Sequence, residues 1–195
     1  QAQLLHATYL RHRDFGAASR SLAHGVASGE ISATAASKLA VLAMTSRMKG
    51  TLNAQRAYLG ALSRSGLAPM PHAFAQLFKL SAGTGQLSHA ARQAEEAGAL
   101  QPTVAEAEVA LLALHHAWVR LNDGQKAAAA LTQAALVVDE DRAAAAAMNA
   151  VVQLLRPLPV GQKGPGRRRR WQQAIAYLRE LAAPPWVTDA HFHPL

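Results

Sequence analysis

The chain has 195 residues, 50% of them apolar and 16% charged, with a formal net charge of +8 at pH 7. It contains no cysteine, which excludes disulfides, thiolate catalysis and cysteine-ligated zinc. Its longest apolar runs, such as Val109 to Leu114, fall far short of the roughly 18 residues a membrane helix needs, so no membrane span is expected.

Helices are predicted, in chain order, over 2–12, 14–28, 32–48, 51–64, 71–82, 86–97, 103–121, 125–138, 141–156 and 168–183. Alanine is abundant and β-branched residues are sparse, which favours helix, and no stretch alternates long enough to suggest a strand. Gly29, Gly50, Gly66, Gly83, Gly85, Gly98 and Gly124 stand where a helix must stop. Pro69, Pro71 and Pro102 follow two of those stops, where proline opens the next helix without losing a needed hydrogen bond. Paired in order, the helices form five hairpins: 2–28, 32–64, 71–97, 103–138 and 141–183. The fifth is split by a Pro/Gly insertion at 157–166, which is expected not to be helical. The tail 184–195 contains three prolines and is expected to be extended, pinned by Trp186 and Phe192.

A short phrase recurs along these elements: a polar or turn residue, an apolar residue, two variable positions, then usually alanine. It reads Asp14–Ala18, Thr51–Gln55, Gln86–Ala90, Gln125–Ala129 and Arg170–Ala174, with last members 37, 35, 39 and 45 residues apart. A period near 35 with helical filling marks a stack of helix–turn–helix units. The expected fold is therefore all-α: a right-handed solenoid of about five repeats over 1–183, followed by the tail. Such an array binds an extended partner along one face.

The charge is uneven. Residues 1–98 carry ten basic and four acidic side chains, 99–156 carry four and six, and 157–195 carry six and two. Two basic ends suggest local anionic contacts. Arg11, Arg47, Lys49, Lys79, Arg120 and Arg156 lie at or near the ends of first helices. In stacked hairpins they would form a stripe placed to meet successive phosphates. The competing explanation is local, since a cation in a helix's last turn complements the macrodipole. Arg167, Arg168, Arg169 and Arg170 form the sharpest signal, because four adjacent guanidiniums repel one another and helical spacing spreads them around the axis. Beside a Pro/Gly segment they are candidates to follow an RNA backbone, against a solvated helix start or a nuclear localisation signal.

Met148-Asn149-Ala150-Val151-Val152-Gln153-Leu154-Leu155, joined across the insertion to Arg170–Leu181, resembles one unit of the tryptophan-bearing type common in algal members of the pentatricopeptide repeat family. Phe74-Ala75-Gln76-Leu77 with Gly85–Ala90 is a second match, and Gly66-Leu67-Ala68-Pro69 resembles a unit's usual ending. Tetratricopeptide units form a related scaffold, but their own Trp/Gly/Tyr/Ala pattern is not found here. The resemblance implies single-stranded RNA binding in mitochondria or chloroplasts. Family members read bases through a polar side chain early in each first helix. This chain departs from that pattern, with Ala40 and Ala75 at those positions. Asn149 alone keeps an amide there, with Asp189 as a terminal partner, leaving backbone, shape or protein contact for the rest.

No cofactor, metal or small-molecule substrate is expected. His115 and His116 are adjacent on a helix and point to different sides, and His191 and His193 would chelate only weakly. Gly161–Gly166 lacks the strand and the Lys-Ser/Thr pair of a phosphate loop, and no nucleophile–base pattern appears. Tyr58, Trp118 and Trp171 fall at packing spacings and are expected in the core. The functional expectation is a non-catalytic, RNA-associated organellar protein, most plausibly a mitochondrial ribosome subunit contacting rRNA backbone and neighbouring proteins. The alternatives are a free organellar RNA maturation or stability factor and a pure protein–protein scaffold, and the chloroplast is the alternative compartment. The chain begins at Gln1, as it would after removal of a transit peptide or in an incomplete sequence.

Overall fold

The computed structural model describes residues 1–67, 69–156 and 165–181, with side chains from 169 onward in the last stretch. Among the described residues there are ten helices and no strand: α1 Ala2–Arg11, α2 Phe15–Ala27, α3 Ala33–Ser46, α4 Leu52–Leu62, α5 Pro71–Ser81, α6 Leu87–Glu96, α7 Ala107–Arg120, α8 Gly124–Ala134, α9 Glu140–Leu155 and α10 Pro165–Leu181. The all-α class is as expected. No helix among the described residues is long and apolar enough to cross a membrane.

The helix starts follow from side-chain chemistry. Asp14, Ser32, Asp123 and Asp139 each accept a hydrogen bond from the backbone N–H three residues on, at 2.9, 3.1, 3.1 and 2.8 Å. Each satisfies one of the donors that a helix start leaves free. Pro71 opens α5, where its missing N–H has no cost. At the ends, Gly29, Gly50, Gly66, Gly85 and Gly98 adopt positive φ, and Gly66 breaks the wide turn Ser63–Leu67 that follows α4.

Three predicted boundaries are corrected. Helix α7 begins at Ala107 rather than 103, because Glu106 takes φ 63 and residues 101–106 form successive turns instead. Its carboxylate lies 3.0 Å from His72 Nε2 at the start of α5, outside hydrogen-bonding geometry. Pro165 and Gly166 belong to α10, so the arginine run sits inside its first two turns. Gly124 opens a helix rather than stopping one. Asn122, at φ 58, makes the left-handed turn in its place. The insertion residues 157–164 and the tail 184–195, with the expectations for Trp186, Asp189, His191, Phe192 and His193, lie outside the described residues.

The chain divides into two compact units, Gln1–Ala110 and Leu111–Leu195. In the first, α1 packs on α2, α2 on α4, α3 on α5, and α5 on both α4 and α6. Its core holds Leu22, Met44, Tyr58, Leu59, Leu62, Phe74, Leu77, Phe78 and Leu87. In the second, α8, α9 and α10 pack on one another around Leu131, Leu154, Tyr177 and Leu181. The remaining space between these helices is filled by alanine, with Ala127, Ala128, Ala134, Ala143, Ala147 and Ala150 all buried.

The recurring phrase marks the start of α2, α4, α6 and α8, but its fourth copy is displaced by two residues. Counted from the residue before each helix, the fifth members are Ala18, Gln55, Ala90 and Ala127, all buried, and the spacings become 37, 35 and 37. Ala129, taken from sequence as the fourth member, is exposed. Gln55 replaces alanine in the second copy because its amide donates to the carbonyls of Met44 and Met48, at 3.0 and 3.1 Å, tying down the end of α3. The fifth copy lies in the middle of α10, although Ala174 is buried like its counterparts.

Candidate nucleic-acid interface

Helix α4 presents two faces. Gln55, Tyr58, Leu59 and Leu62 are buried in the core, while Arg56 and Gly60, four residues apart, look outward, and Arg64 follows them in the wide turn after the helix. Helix α6 does the same, with Leu87, Ala90 and Ala94 inward and His89, Arg92, Gln93 and Glu96 outward. Between these outward rows runs a groove of about 680 Å³ lined by both. Its lining holds three guanidiniums against the single carboxylate of Glu96.

None of those guanidiniums has an ion-pair partner among the described residues. Arg56 Nη1 donates to Gln86 Oε1 at 3.3 Å, and its buried Nε has no hydrogen-bond partner. Gln93 Nε2 donates to the Arg56 carbonyl at 3.0 Å, joining the two walls. Arg92 Nη2 lies 3.1 Å from His89 Nδ1. Clustered like charges destabilise a fold unless something neutralises them. Gly60 supports the same shape. A Cβ there would sit 3.4 Å from both Arg64 Nη1 and Gln93 Nε2, in ordinary contact with them, so glycine leaves that part of the groove floor bare.

The residues singled out from sequence are distributed differently. Arg11 and Lys79 lie in the last turns of α1 and α5, and Arg120 ends α7. Arg47 and Arg156 immediately follow α3 and α9, and Lys49 lies two residues beyond Arg47. All six are exposed. Lys79 also lines a shallow pocket of about 330 Å³ between α3 and α5, together with Lys38 and His72. Asn149 is exposed on α9. Ala40 and Ala75 are buried, so those positions are core positions and not merely silent ones.

Of the arginine run, Arg169 and Arg170 have described side chains, while those of Arg167 and Arg168 lie outside the described residues. Arg169 is exposed. Arg170 is half-buried, and its Nη1 donates to the Arg156 carbonyl at 3.1 Å, capping the end of α9. That carbonyl is one of the acceptors a helix end leaves free, so Arg170 has a local structural role. Trp171, expected in the core, is 54% exposed and has Ile175, 44% exposed, one turn further along α10. The spacing was that of a packed face, but it is Ala174, Tyr177 and Leu181 that turn inward. Trp118 is half-buried beneath Lys126, whose Nζ lies 4.5 Å from the ring centroid.

Two histidines are sealed away from any surface chemistry. His6 Nε2 lies 2.5 Å from Tyr58 OH, and burial lowers its pKa to about 4. His115 Nδ1–H donates to the Ala127 carbonyl at 2.9 Å. Burial lowers its pKa to about 4 as well, against the opposing effect of the Ala127 and Ala146 carbonyls. Both rings are neutral in the core, and His116 beside His115 is exposed.

The sequence reading missed Arg56, Arg64 and Arg92. It sought basic residues at the ends of first helices, whereas Arg56 and Arg92 stand on the outward faces of second helices and Arg64 in the turn after one. Counting positions from the recurring phrase would have placed them on neighbouring rows. Comparison with family models, with curated proteins and with solved structures finds no match to this chain.

Proposed function

We propose that the chain is a non-catalytic, RNA-associated helical-repeat protein of an organelle, a degenerate member of the pentatricopeptide repeat class, acting as a structural subunit of the mitochondrial ribosome. The observation that carries this reading is the α4–α6 groove, where three guanidiniums converge without an acidic partner. A net charge of +8 favours the same class of ligand. The right-handed solenoid of about five hairpins is part of the proposal. It is supported by the packing of second helix on second helix (α2 on α4, α8 on α10) and of first on first (α3 on α5).

Contact with the RNA backbone, rather than base-by-base reading, is the mode that the burial of Ala40 and Ala75 supports. The exposed apolar residues Met148, Val152, Trp171 and Ile175 favour a protein neighbour too, as a subunit of a large particle would have. The mitochondrial matrix is the proposed compartment, with the chloroplast as the second.

Fractionation tests this reading. Tagged chain from lysed organelles is expected to co-sediment with ribosomes and to shift to light fractions after ribonuclease treatment. Migration as a small ribonuclease-sensitive complex would point to a free RNA factor. A ribonuclease-insensitive position would point to a protein scaffold.

A further inference from the structure

We infer that the α4–α6 groove is a seat for the phosphodiester backbone of single-stranded RNA, with Arg56, Arg64 and Arg92 contacting phosphates and Gly60 keeping the floor open. The inference rests on the RNA-associated reading and specifies where on the chain the contact is made. Arg56 lies on α4, and Arg64, eight residues further on, lies in the wide turn Ser63–Leu67 that continues it. Arg92 faces them from α6. That span suits a chain of anions better than one small ion.

The lining also argues against a peptide. Interface cores for protein partners are rich in aromatic and large aliphatic side chains. Here the only apolar side chains lining the groove are those of Ala57 and Ala97. Guanidinium forks match phosphate oxygens bidentately, while Gln93, whose amide nitrogen is engaged by the Arg56 carbonyl, is left with an acceptor oxygen suited to a ribose hydroxyl and not to a phosphate. Gly60 completes the picture. A glycine inside a helix weakens it relative to alanine, and this one has an ordinary helical φ, so turn geometry does not require it. What it supplies is space beside Arg64 and Gln93.

The test uses the whole chain and a labelled single-stranded oligoribonucleotide of mixed sequence, with anisotropy measured over a salt series. Wild type should show a steep salt dependence. The Arg56→Gln/Arg64→Gln/Arg92→Gln variant should lose about 2 from the slope of log affinity against log salt, at about 0.7 per phosphate contact in single strands. The loss should be similar for unrelated sequences, and circular dichroism should be unchanged. Gly60→Ala, which favours the helix, should melt no lower than wild type yet bind several-fold more weakly. It also keeps the test alive if the triple variant does not fold. Wild-type binding with an unaltered slope in the triple variant, and full affinity in Gly60→Ala, would overturn the groove assignment alone. Absence of any salt-dependent RNA binding by wild type would overturn the RNA reading itself. Displacement of the RNA by polyglutamate at equal charge would overturn both in favour of an acidic protein partner.

Discussion

In the first unit His6 on α1 lies against Tyr58 on α4. In the second, His115 on α7 lies against Tyr177 on α10. Ring centroids are 5.9 Å apart in both pairs, with interplanar angles of 34° and 37°. Each histidine lies eight residues before a capping aspartate, Asp14 or Asp123, and the turns between are closely alike. The Asp14 and Asp123 N–H groups both reach back five residues at 3.0 Å, and Arg13 and Asn122 take φ 55 and 58. Yet Tyr58 OH meets His6 Nε2, whereas Tyr177 OH is buried with no hydrogen-bond partner. The residue after the aspartate differs as well. Phe15 places a ring 5.9 Å from Tyr58. Gly124 has no side chain, so the backbone of α10 closes onto α8, and Gln173 Oε1 accepts the Gly124 N–H at 2.8 Å. At this one position the two units therefore differ in the room left for a side chain beside the neighbouring helix.

Filling that position should produce the largest effect. A Cβ at Gly124 would lie 2.0 Å from the Gln173 carbonyl oxygen, a backbone atom that cannot swing aside. Gly124→Ala is expected to destabilise the second unit by about 3 kcal/mol, the upper part of the usual overpacking range. Amide hydrogen exchange should then accelerate by about 100-fold across α8 and α10, at 1.4 kcal/mol per decade. Phe15→Ala, at a half-buried site, should cost less and loosen α2 against α4 instead. Equal responses in both units would break the comparison.

Acidification should act on both units alike. His6 and His115 titrate at about 4 in the folded protein, below the ordinary value of 6.5, because burial disfavours the charged ring. The unfolded chain therefore takes up these protons first. Their contribution to stability is complete above pH 6.5 and is lost as pH falls toward 4, after which it levels off. Thermal melts of wild type should show this decline, and the His6→Gln/His115→Gln variant should show a flatter curve over the same window. Parallel curves for the two proteins would contradict the burial of the two rings.

Removing the two tyrosine hydroxyls should give changes of different size and sign. Tyr58→Phe leaves His6 Nε2 without its buried partner and should destabilise by about 1 to 2 kcal/mol. Tyr177→Phe removes a hydroxyl that is buried and unpaired, so it should be neutral or slightly stabilising. Denaturant midpoints for the two variants decide the matter. A loss at Tyr177 as large as that at Tyr58 would mean that its hydroxyl is bonded after all.

Much of the fold was legible because its signals are local. Glycine stops, proline starts, an alanine-rich composition and the recurring phrase placed all ten helices to within a few residues. What was not legible depended on neighbours distant in sequence. Gly124 reads as a stop until α10 is seen crossing it, and Trp171 reads as core until Tyr177 is seen to occupy the inward face. The groove arginines were hidden for the same reason. Arg56 and Arg92 are 36 residues apart and become neighbours only when α6 is set beside α4.

The smallest effect concerns what the two units share. Asp14 Oδ1 accepts from the Ala17 N–H at 2.9 Å, and Asp123 Oδ1 accepts from the Lys126 N–H at 3.1 Å. Each cap satisfies one donor at a helix start and places a negative charge at the positive end of the macrodipole. Asp123 also has Lys126 Nζ at 3.6 Å, but Lys126 is more than half exposed and such a pair contributes little. Asp14→Ala and Asp123→Ala should therefore each cost about 1 kcal/mol and agree to within about 0.5 kcal/mol. Hydrogen exchange at the first turns of α2 and α8 reads the two separately. If Asp123→Ala were much the costlier, the closeness of α10 would reach the turn as well, and the two turns would not be equivalent despite their close likeness.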